Sequence, residues 1–510
     1  MDTAINGLTS GRINYDAEFC GKVPLHQTNQ VQPHGLLLVV KTDDLVILQG
    51  SENAEELLGT KVETLIGRSL NEIINNTEVD ALRQRLANNI EGKIPVTWTI
   101  EGKNYGALLQ KTDAYFIAEI EKEEYAATDT FVNVYQELKY VMASIDASET
   151  ADKACAIVAR EIKRLSGFDK VMIYRFDKNW NGEVIAEEKE EGMDVYMGLK
   201  FPASDVPKQA RELYRRNPYR LIPNVDYQPI KLYPVINPLT HAFTDLTDSN
   251  LRSVVPVHLE YLRNMKVSAS MSTRILKDGV LWGLIACHHR TPKYLSYQMC
   301  SVFELLSHII SAKISSLTNT DTHLYKSEMQ HLLTRVMESV YKTGSLTVGL
   351  LTQEEALLKL LSGGGMALSL NRQVETIGAA PNSEDVRNLV FWLQTNGINK
   401  TYQHTNLSSA YEDAEEYVAQ GSGLLALPIQ PEKGDYILVF RPEVIQQTNW
   451  GGNPNEAVQF EPDRKTYHPR NSFQLWKETV SKTAMPWTET EVDAAESFRS
   501  LVMEYTLNKV

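Results

Sequence analysis

Three short segments in the middle of the chain hold side chains that could surround an organic ligand. They are Phe-Pro-Ala-Ser-Asp-Val-Pro at 201–207, Pro-Val-His-Leu-Glu-Tyr at 256–261 and Leu-Trp-Gly-Leu-Ile-Ala-Cys-His-His at 281–289. Their carboxylate, imidazole and aromatic groups are of the types that fix the orientation of a ligand in a mostly apolar pocket. The order of the segments predicts one site built from several separate elements.

Taken one at a time, the same residues have ordinary structural explanations. Asp205 before Val-Pro is typical of a turn, and Tyr174 and Phe201 are typical core aromatics. His288 and His289 are neighbours on a predicted strand, so their side chains point to opposite faces and cannot easily bind one metal ion. A lone arginine is usually a surface cation, and serines two apart on a strand can simply mark its exposed face.

The four cysteines are scattered without Cys-x-x-Cys spacing, which argues against a zinc ribbon and against a disulfide framework. Cys155, Cys287 and Cys300 have apolar neighbours and are predicted to be buried. Cys20 lies in a polar N-terminal segment, where an exposed thiol could react.

Composition excludes several classes of protein. A chain of 510 residues with 43% hydrophobic and 23% charged residues is long enough for about three domains of about 150 residues each. The net charge is −14 and no basic run is present, so direct binding of nucleic acid is not expected. No apolar run of about 18 residues and no signal peptide is present, which predicts a cytoplasmic protein without a membrane span.

The elements that must position the three segments follow from periodicity. Residues 35–121 predict short strands and helices of a mixed α/β sensor domain. Helical spacing over 126–165 is broken at Ser148, which we expect to cap the second helix. Alternation predicts a strand at 170–176, and a continuous apolar run predicts a buried strand at 281–286.

Two features of the second half stand out. Residues 297–342 predict one very long helix, whose apolar stripe (Leu305, Ile309, Ile310, Ile314, Leu317) could face a second copy of the chain. The domain that follows is interrupted by an irregular arm at 441–479 and ends in an amphipathic helix over 489–507.

These segments together resemble a bacterial phytochrome over nearly the whole chain. The resemblance also rests on Cys20, on Gln-Pro-His-Gly at 32–35, on Trp-Gly-Gly at 450–452 and on Pro-Arg-Asn-Ser-Phe at 469–473. It implies an α+β fold of three mixed α/β sensor domains with antiparallel sheets joined by long helices: PAS (1–128), GAF (129–318) and PHY (319–510) with a tongue at about 441–479. It further implies a figure-of-eight knot, in which the segment around Val31 threads through the loop at 222–247.

The resemblance also implies a red/far-red photoreceptor with biliverdin, a linear tetrapyrrole, as its covalent chromophore. Arg220 and Arg252 are then expected at one propionate, and His258, Ser270 and Ser272 at the other. The Asp205 main-chain carbonyl is expected to accept from the pyrrole nitrogens, and His288 to reach the D-ring carbonyl. The remaining expected contacts are Met172, Tyr174, Tyr196, Phe201, Tyr214 and Tyr261.

The site of attachment separates branches of the family. Plant and many cyanobacterial phytochromes carry the linking cysteine directly before the pocket histidine, where this chain has Val257. Cys20 matches the linking cysteine of the biliverdin-binding bacterial branch. One departure is Val255, which stands where related pockets often have serine, so one propionate or water contact is expected to be missing.

Signalling residues and partners also follow from the resemblance. The tongue is expected to bring Arg470 to Asp205 and, after illumination, Ser472 in its place, with a change from strand to helix. A homodimer through the long helices is implied, as are a histidine-kinase output and its response regulator. The chain shows no nucleophile elbow, Walker loop or HExxH motif, so whether the full protein is an enzyme is left open. The alternative is a GAF-type sensor of a cyclic nucleotide or another small molecule without a chromophore.

Overall fold

The computed structural model describes residues 28–87, 92–124, 130–456, 458–460 and 467–507. Contacts divide the chain into two compact units, one built from Arg12–Leu317 with Asn449–Trp476 and one from Thr318–Thr448 with Lys477–Val510. Both contain mainly antiparallel sheets covered by helices, so the predicted α+β class is confirmed.

The strands of the described residues are β1 (Gln30–Val31), β2 (Gly35–Lys41), β3 (Ile47–Ser51), β4 (Lys93–Ile100), β5 (Lys103–Lys111), β6 (Tyr115–Glu124), β7 (Lys170–Phe176), β8 (Gly182–Lys189), β9 (Lys200–Phe201), β10 (Tyr219–Ile222), β11 (Ile230–Tyr233), β12 (Ala269–Lys277), β13 (Val280–His289), β14 (Gly365–Leu370), β15 (Gln373–Gly378), β16 (Tyr402–His404), β17 (Gly423–Gln430), β18 (Asp435–Arg441), β19 (Gln446–Gly451), β20 (Val458–Phe460), β21 (Tyr467–Pro469) and β22 (Leu475–Val480).

The α-helices of the described residues are α1 (Ala54–Leu58), α2 (Val62–Leu65), α3 (Asn76–Ala87), α4 (Thr130–Asp146), α5 (Ala151–Ser166), α6 (Lys208–Arg216), α7 (Pro256–Asn264), α8 (Tyr297–Thr343), α9 (Leu346–Leu351), α10 (Glu354–Leu360), α11 (Ser383–Thr395), α12 (Val418–Gly421) and α13 (Glu489–Leu507).

The N-terminal sheet has the strand order β1-β11-β3-β2-β6-β5-β4. Strand β2 is apolar and is buried on both faces. Leu36 and Leu38 pack with α1 to α3 on one side, whereas Leu37 packs with Leu232 and Leu251 from much later in the chain on the other. This second face explains why β2 reads as a continuous apolar run rather than as an alternating one.

Strand β11 lies within the predicted loop at 222–247 and pairs with both β1 and β3. Val31 is opposite Ile230 in this pairing, and it also forms a bridge with Arg252. The contact between the Val31 segment and the long loop is therefore present. The chain before residue 28, whose path completes the predicted knot, lies outside the described residues.

The central sheet has the order β10-β12-β13-β7-β8-β9-β19-β22. One of its faces packs against α4, α5 and the first half of α8 in a large apolar core, which includes Met271, Ile285 and Ile173. The strand predicted at 170–176 is present as β7 with the same bounds. Cys155, Cys287 and Cys300 are buried in the same core, as predicted. The opposite face is described with the site below.

The break between α4 and α5 corrects one prediction. Thr150, not Ser148, is the N-cap of α5: its side chain accepts from the Lys153 amide at 3.3 Å. The Ser148 hydroxyl instead donates to the Ile145 carbonyl, at the end of α4. A cap needs extended backbone before the first turn, and Thr150 has it (φ −132°, ψ 152°).

The predicted long helix, α8, runs from Tyr297 to Thr343. Its predicted stripe is wrong as a single face, because Ile310 and Ile314 are in the core whereas Leu305 is 42% exposed. At its first residue, Glu121 of β6 accepts from the Tyr297 amide at 2.6 Å. One 18-residue window of α8 has the length and composition of a membrane-crossing helix, and a third of that window is buried.

The second unit contains the sheet β15-β14-β18-β17-β16. One face packs against the second half of α8 and α13, through residues such as Val336 and Phe498, and the other packs against α11. The predicted C-terminal helix over 489–507 is present as α13.

We expect Thr150→Ala to weaken the start of α5, because the Lys153 amide loses its acceptor. The cost of a lost cap, about 1 kcal/mol, corresponds to about fivefold faster hydrogen exchange in the first turn. Hydrogen exchange with mass spectrometry on peptides covering α5 measures this. Thr150→Ser keeps the hydroxyl and is the matched control, which should exchange as the parent does. A larger effect from Ser148→Ala would contradict the assignment of the cap.

Candidate functional site

One face of the central sheet carries most of the predicted pocket residues. Arg220 of β10 lies opposite Ser272 of β12, and Ser270 lies opposite His288 of β13. Opposed residues share a face of a sheet, and so do residues two apart on one strand. The register extends the same face into β7 through Met172 and Tyr174. Ser270 and His288 are buried, so the surface-face explanation of the serine pattern does not hold for Ser270.

Helix α7 presents His258 and Tyr261, which are one turn apart. Their rings are nearly parallel, with centroids 6.1 Å apart. The Tyr261 hydroxyl donates to Asp205 Oδ2 at 2.8 Å. Pro256 occupies the first turn, where its missing amide proton costs nothing, and this fixes where the helix begins.

Asp205 also forms an ion pair with Arg470 of the arm at 441–479, and both side chains are almost completely buried, at 5% and 3% exposed. Burial raises the pKa of the Asp205 carboxyl, while the Arg470 cation and the Tyr261 hydroxyl oppose that rise. The guanidinium lies 5.0 Å from the ring centre of Phe473 and 5.4 Å from that of Phe201. Such rings attract a cation and exclude water from the ion pair.

Arg220 and Arg252 line one cavity, and neither forms an ion pair with a carboxylate among the described residues. Burial lowers the pKa of both, and the cation of Arg220 lowers the pKa of Arg252 further, while Asp245, Asp248 and Glu119 oppose that change. The only hydrogen bond of the Arg252 side chain among the described residues goes to the Thr247 carbonyl, at 3.0 Å. Both arginines line a cavity that also contains Tyr214. Two buried like charges are costly unless an anion lies between them.

Both pocket histidines are neutral. Burial lowers the pKa of His258 to about 3, with a contribution from Arg220. Burial, followed by Lys170, lowers the pKa of His288 to about 3. His288 Nδ1 is buried without a hydrogen-bond partner, and buried polar atoms are normally paired. No cluster of residues in the described part of the chain could hold a metal ion.

Aromatic residues close one end of the site. The Phe201 ring centre lies 6.0 Å from that of Tyr174 and 5.7 Å from that of Tyr196. Phe473 from the arm joins this group. Its ring centre lies 5.1 Å from that of Tyr261, and the two rings are nearly perpendicular. The sequence prediction did not include Phe473 among the site residues, although the residue ends the Pro-Arg-Asn-Ser-Phe segment that was quoted for the resemblance.

A second buried ion pair was also missed. Lys170 Nζ lies 2.9 Å from Glu187 Oε1, and the two side chains are 1% and 4% exposed. The same ammonium lies 3.5 Å from the ring centre of Tyr196 and donates to the Asp194 carbonyl. The alternating strand at 170–176 was the available signal, because it assigns Lys170 to the same face as Met172.

Three predictions are not placed at this cluster. Cys20 lies outside the described residues. Ser472 is exposed and accepts from the Gln474 amide at 3.4 Å, so Arg470, not Ser472, is the partner of Asp205 here. Val255 precedes α7 and provides no side-chain cap.

The described residues of the arm form short strands joined by turns, with one 3-10 helix at Pro454–Glu456. Trp450 of β19 pairs in parallel with Lys200 of β9, and β20 pairs with β21. The Gly452 amide donates to the Gln474 carbonyl at 2.8 Å, which joins the two sides of the arm. A Cβ atom at Gly452 would lie 2.2 Å from the Ser472 carbonyl oxygen, so only glycine fits there.

Comparison with known proteins identifies three regions of the chain. Three family models match: a PAS fold at residues 20–123, a GAF domain at 150–314 and a phytochrome region at 329–510. Cyanobacterial phytochrome B of a Nostoc species is 37% identical over 500 residues, covering 97% of this chain and 67% of that protein. A bacteriophytochrome of Xanthomonas campestris is 30% identical over 515 residues, covering 98% of this chain and 80% of that protein.

Solved structures agree with the sequence comparison. The photosensory core module of the Stigmatella aurantiaca phytochrome has a TM-score of 0.82 at 33% identity and covers 96% of this chain and 98% of its own. A bacteriophytochrome from R. palustris also has a TM-score of 0.82, at 32% identity. The chain spans about two thirds of the length of the cyanobacterial relatives it matches. It therefore belongs to the phytochrome family, as a photosensory core module of PAS, GAF and PHY regions, and membership of this family implies a bilin chromophore.

Proposed function

We propose that this chain senses red and far-red light through biliverdin held on the polar face of the central sheet. The observation that carries the proposal is the pair of buried arginines, Arg220 and Arg252, neither of which forms an ion pair among the described residues. They lie on the same site as a buried imidazole nitrogen of His288 without a partner. A linear tetrapyrrole has carboxylates that suit the arginines, a ring carbonyl that suits the imidazole nitrogen and an apolar body that suits the aromatic residues of the site.

The roles of the residues follow from their chemistry. Arg220 and Arg252 bind one propionate, and Ser270, Ser272 and His258 bind the other. His288 binds the carbonyl of the outer ring, and the Asp205 main-chain carbonyl accepts from the pyrrole nitrogens. Apolar and aromatic walls are formed by Met172, Tyr174, Tyr196, Phe201, Tyr214 and Tyr261. Bound biliverdin supplies the absorption of light and the photoisomerisation.

Attachment is assigned to Cys20. Among the other cysteines, burial raises the pKa of Cys155, Cys287 and Cys300, which makes them poor nucleophiles. Val257 leaves no thiol before His258. Domain boundaries at 128/129 and 318/319, and a tongue at about 441–479, complete the proposal.

The tongue transmits the photoisomerisation of the bilin through Arg470. The starting arrangement is the ion pair of Arg470 with Asp205 and the pairing of β20 with β21 in the arm. On illumination Arg470 leaves Asp205, Ser472 takes its place, and residues 472–478 form a helix that shortens the arm and pulls on α8. Ser472 precedes a run without Gly or Pro, which permits a helix.

The complete protein is proposed to continue into a histidine kinase that acts on a response regulator, as a cytoplasmic homodimer. Support for the dimer comes from exposed apolar side chains on α4 and α8, such as Tyr140 (76% exposed) and Leu305. Exposed large apolar groups on long helices are typical of interfaces.

Absorption spectroscopy tests the proposed function. Expressed together with haem oxygenase, the chain should absorb in the red, and red illumination should shift the band reversibly towards the far-red. A colourless product that shows a thermal shift with cyclic nucleotides would instead favour the small-molecule sensor.

Cys20→Ser should abolish covalent attachment while the coloured complex still forms, because the arginines and the apolar walls do not depend on the thiol. Denaturing gels stained with zinc, which makes the bilin fluoresce, measure attachment. Cys155→Ser is the matched control and should keep the fluorescent band. A band that persists in Cys20→Ser would assign the linkage to another residue.

Red illumination should change amide exchange in residues 467–480, because the strand hydrogen bonds of the tongue are lost. Arg470→Ala should raise exchange there in the dark by about tenfold or more, since it leaves a buried carboxylate without its partner. The measurement is hydrogen exchange in the dark and in the light.

The matched control for this experiment is Arg290→Ala. Arg290 pairs with Asp169 at 3.2 Å but is half exposed, so its removal should leave exchange in the tongue unchanged. Identical tongue exchange in dark and light, in a parent chain that photoconverts, would refute the mechanism.

A further inference from the structure

The main-chain segments that carry Arg220 and Arg252 are joined by one side chain from the PAS region. Gln32 is 1% exposed, and its side-chain amide nitrogen, Nε2, donates to the Leu221 carbonyl at 3.0 Å and to the Arg252 carbonyl at 3.5 Å. Leu221 follows Arg220 directly in β10. Gln32 therefore connects β10, at the edge of the sheet, to the loop that enters α7.

A second PAS side chain holds the same loop from the other side. Glu119 of β6 is 6% exposed, and its Oε1 accepts from the Leu251 amide at 2.9 Å and from the Ser249 hydroxyl. The Ser249 oxygen in turn accepts from the Arg252 amide at 3.1 Å. Lys93 Nζ lies 3.6 Å from Glu119 Oε2 and balances the buried carboxylate.

The main chain continues this attachment along both sides of Arg252. The main-chain amide of Gln32 donates to the Leu251 carbonyl at 2.7 Å, and the main-chain amide of Ser253 donates to the Gln30 carbonyl at 2.9 Å. PAS residues thus bond the main chain at Leu251, Arg252 and Ser253. Residues near in sequence add further bonds, such as the Leu246 carbonyl, which accepts from the Ser249 amide. The Arg252 side chain has only one hydrogen bond among the described residues, to a neighbouring carbonyl, and does not fix itself.

Two buried guanidinium groups repel each other, so the segments that carry them tend to separate unless other bonds hold them. A site held in its binding geometry loses less free energy to ordering when the ligand arrives. We propose that Gln32 and Glu119 are positioning residues, which hold Arg220 and Arg252 at the separation that a carboxylate requires. The PAS region then sets the affinity and selectivity of the GAF pocket for the bilin carboxylate. This inference rests on the proposed function.

The test compares biliverdin with biliverdin dimethyl ester, in which both propionates are esterified. All variants are made in the full chain carrying Cys20→Ser, so that binding is reversible. Absorbance titration then gives the dissociation constants of biliverdin and of its dimethyl ester. Gln32→Leu should weaken binding of biliverdin about tenfold while changing that of the ester less than about twofold, because only the acid uses the paired arginines.

Gln49→Leu is the matched control. Gln49 is a fully buried PAS glutamine that also bonds the long loop, at the Pro234 carbonyl and the Thr244 hydroxyl, but not the arginine segments. It should leave the preference for acid over ester unchanged. Ser249→Ala, a smaller change, should reduce the same preference about threefold and serves if Gln32→Leu does not fold.

Equal weakening of acid and ester by Gln32→Leu, or an equal loss of preference in Gln49→Leu, would overturn the inference and leave the proposed function intact. Failure of the chain with unaltered Gln32 and Glu119 to bind either pigment would overturn the proposed function itself, and the inference with it.

Discussion

The register of the central sheet is the constraint on which the site depends. Antiparallel pairing places alternate residues of β12 and β13 on opposite faces, so Met271 and Ile285 fill the core while Ser270 and His288 face the pocket. A slip of one residue would exchange the two sets. Gly283 helps to hold the register, because a Cβ atom there would lie 2.4 Å from the Tyr174 carbonyl oxygen on the neighbouring strand.

Charge is compensated unevenly across this face. Lys170 has Glu187, and Arg470 has Asp205, each at close range in a buried position. Neither Arg220 nor Arg252 forms an ion pair among the described residues, although the charges of Asp245, Asp248 and Glu119 partly oppose the lowering of the Arg252 pKa. Because burial of a cation without an ion pair is costly, this end of the site favours an anionic group.

Local pattern predicted the elements better than their contacts. The alternation at 170–176 and the helix from Tyr297 could be predicted because each depends on neighbouring residues only. The cap of α5 was misplaced by two residues, because Ser148 and Thr150 have equal chemistry and only backbone geometry separates them. Ile310 and Ile314 were misassigned to the outward stripe, because periodicity identifies apolar residues but not which of them the core covers.

Long-range contacts could not be predicted from periodicity. Arg470 meets Asp205 across 265 positions, and only the family resemblance brought the two together before the fold was known. Gln32 and Glu119 carry no local signal, and the strand pattern at 170–176 assigns Lys170 to a face but not to a partner, since a single polar residue in an apolar strand is compatible with many partners. Their role becomes visible only when the groups at the other end of each hydrogen bond are known.

The two ends of the pocket are closed by different parts of the chain. PAS residues fix the backbone around Arg252, while the arm supplies Arg470 and Phe473 at the aromatic end. The PAS bonds are mostly to buried main chain and remain as long as the sheet does. The arm is held by the ion pair of Arg470 with Asp205, by ring contacts, by the pairing of Trp450 with Lys200 and by side-chain bonds from Asn264 and Glu260. These residues are not members of the large apolar cores of the two units, so the arm can be released without unfolding those cores. A rearrangement at the aromatic end can therefore move the arm while the PAS bonds keep the backbone around Arg252 in place.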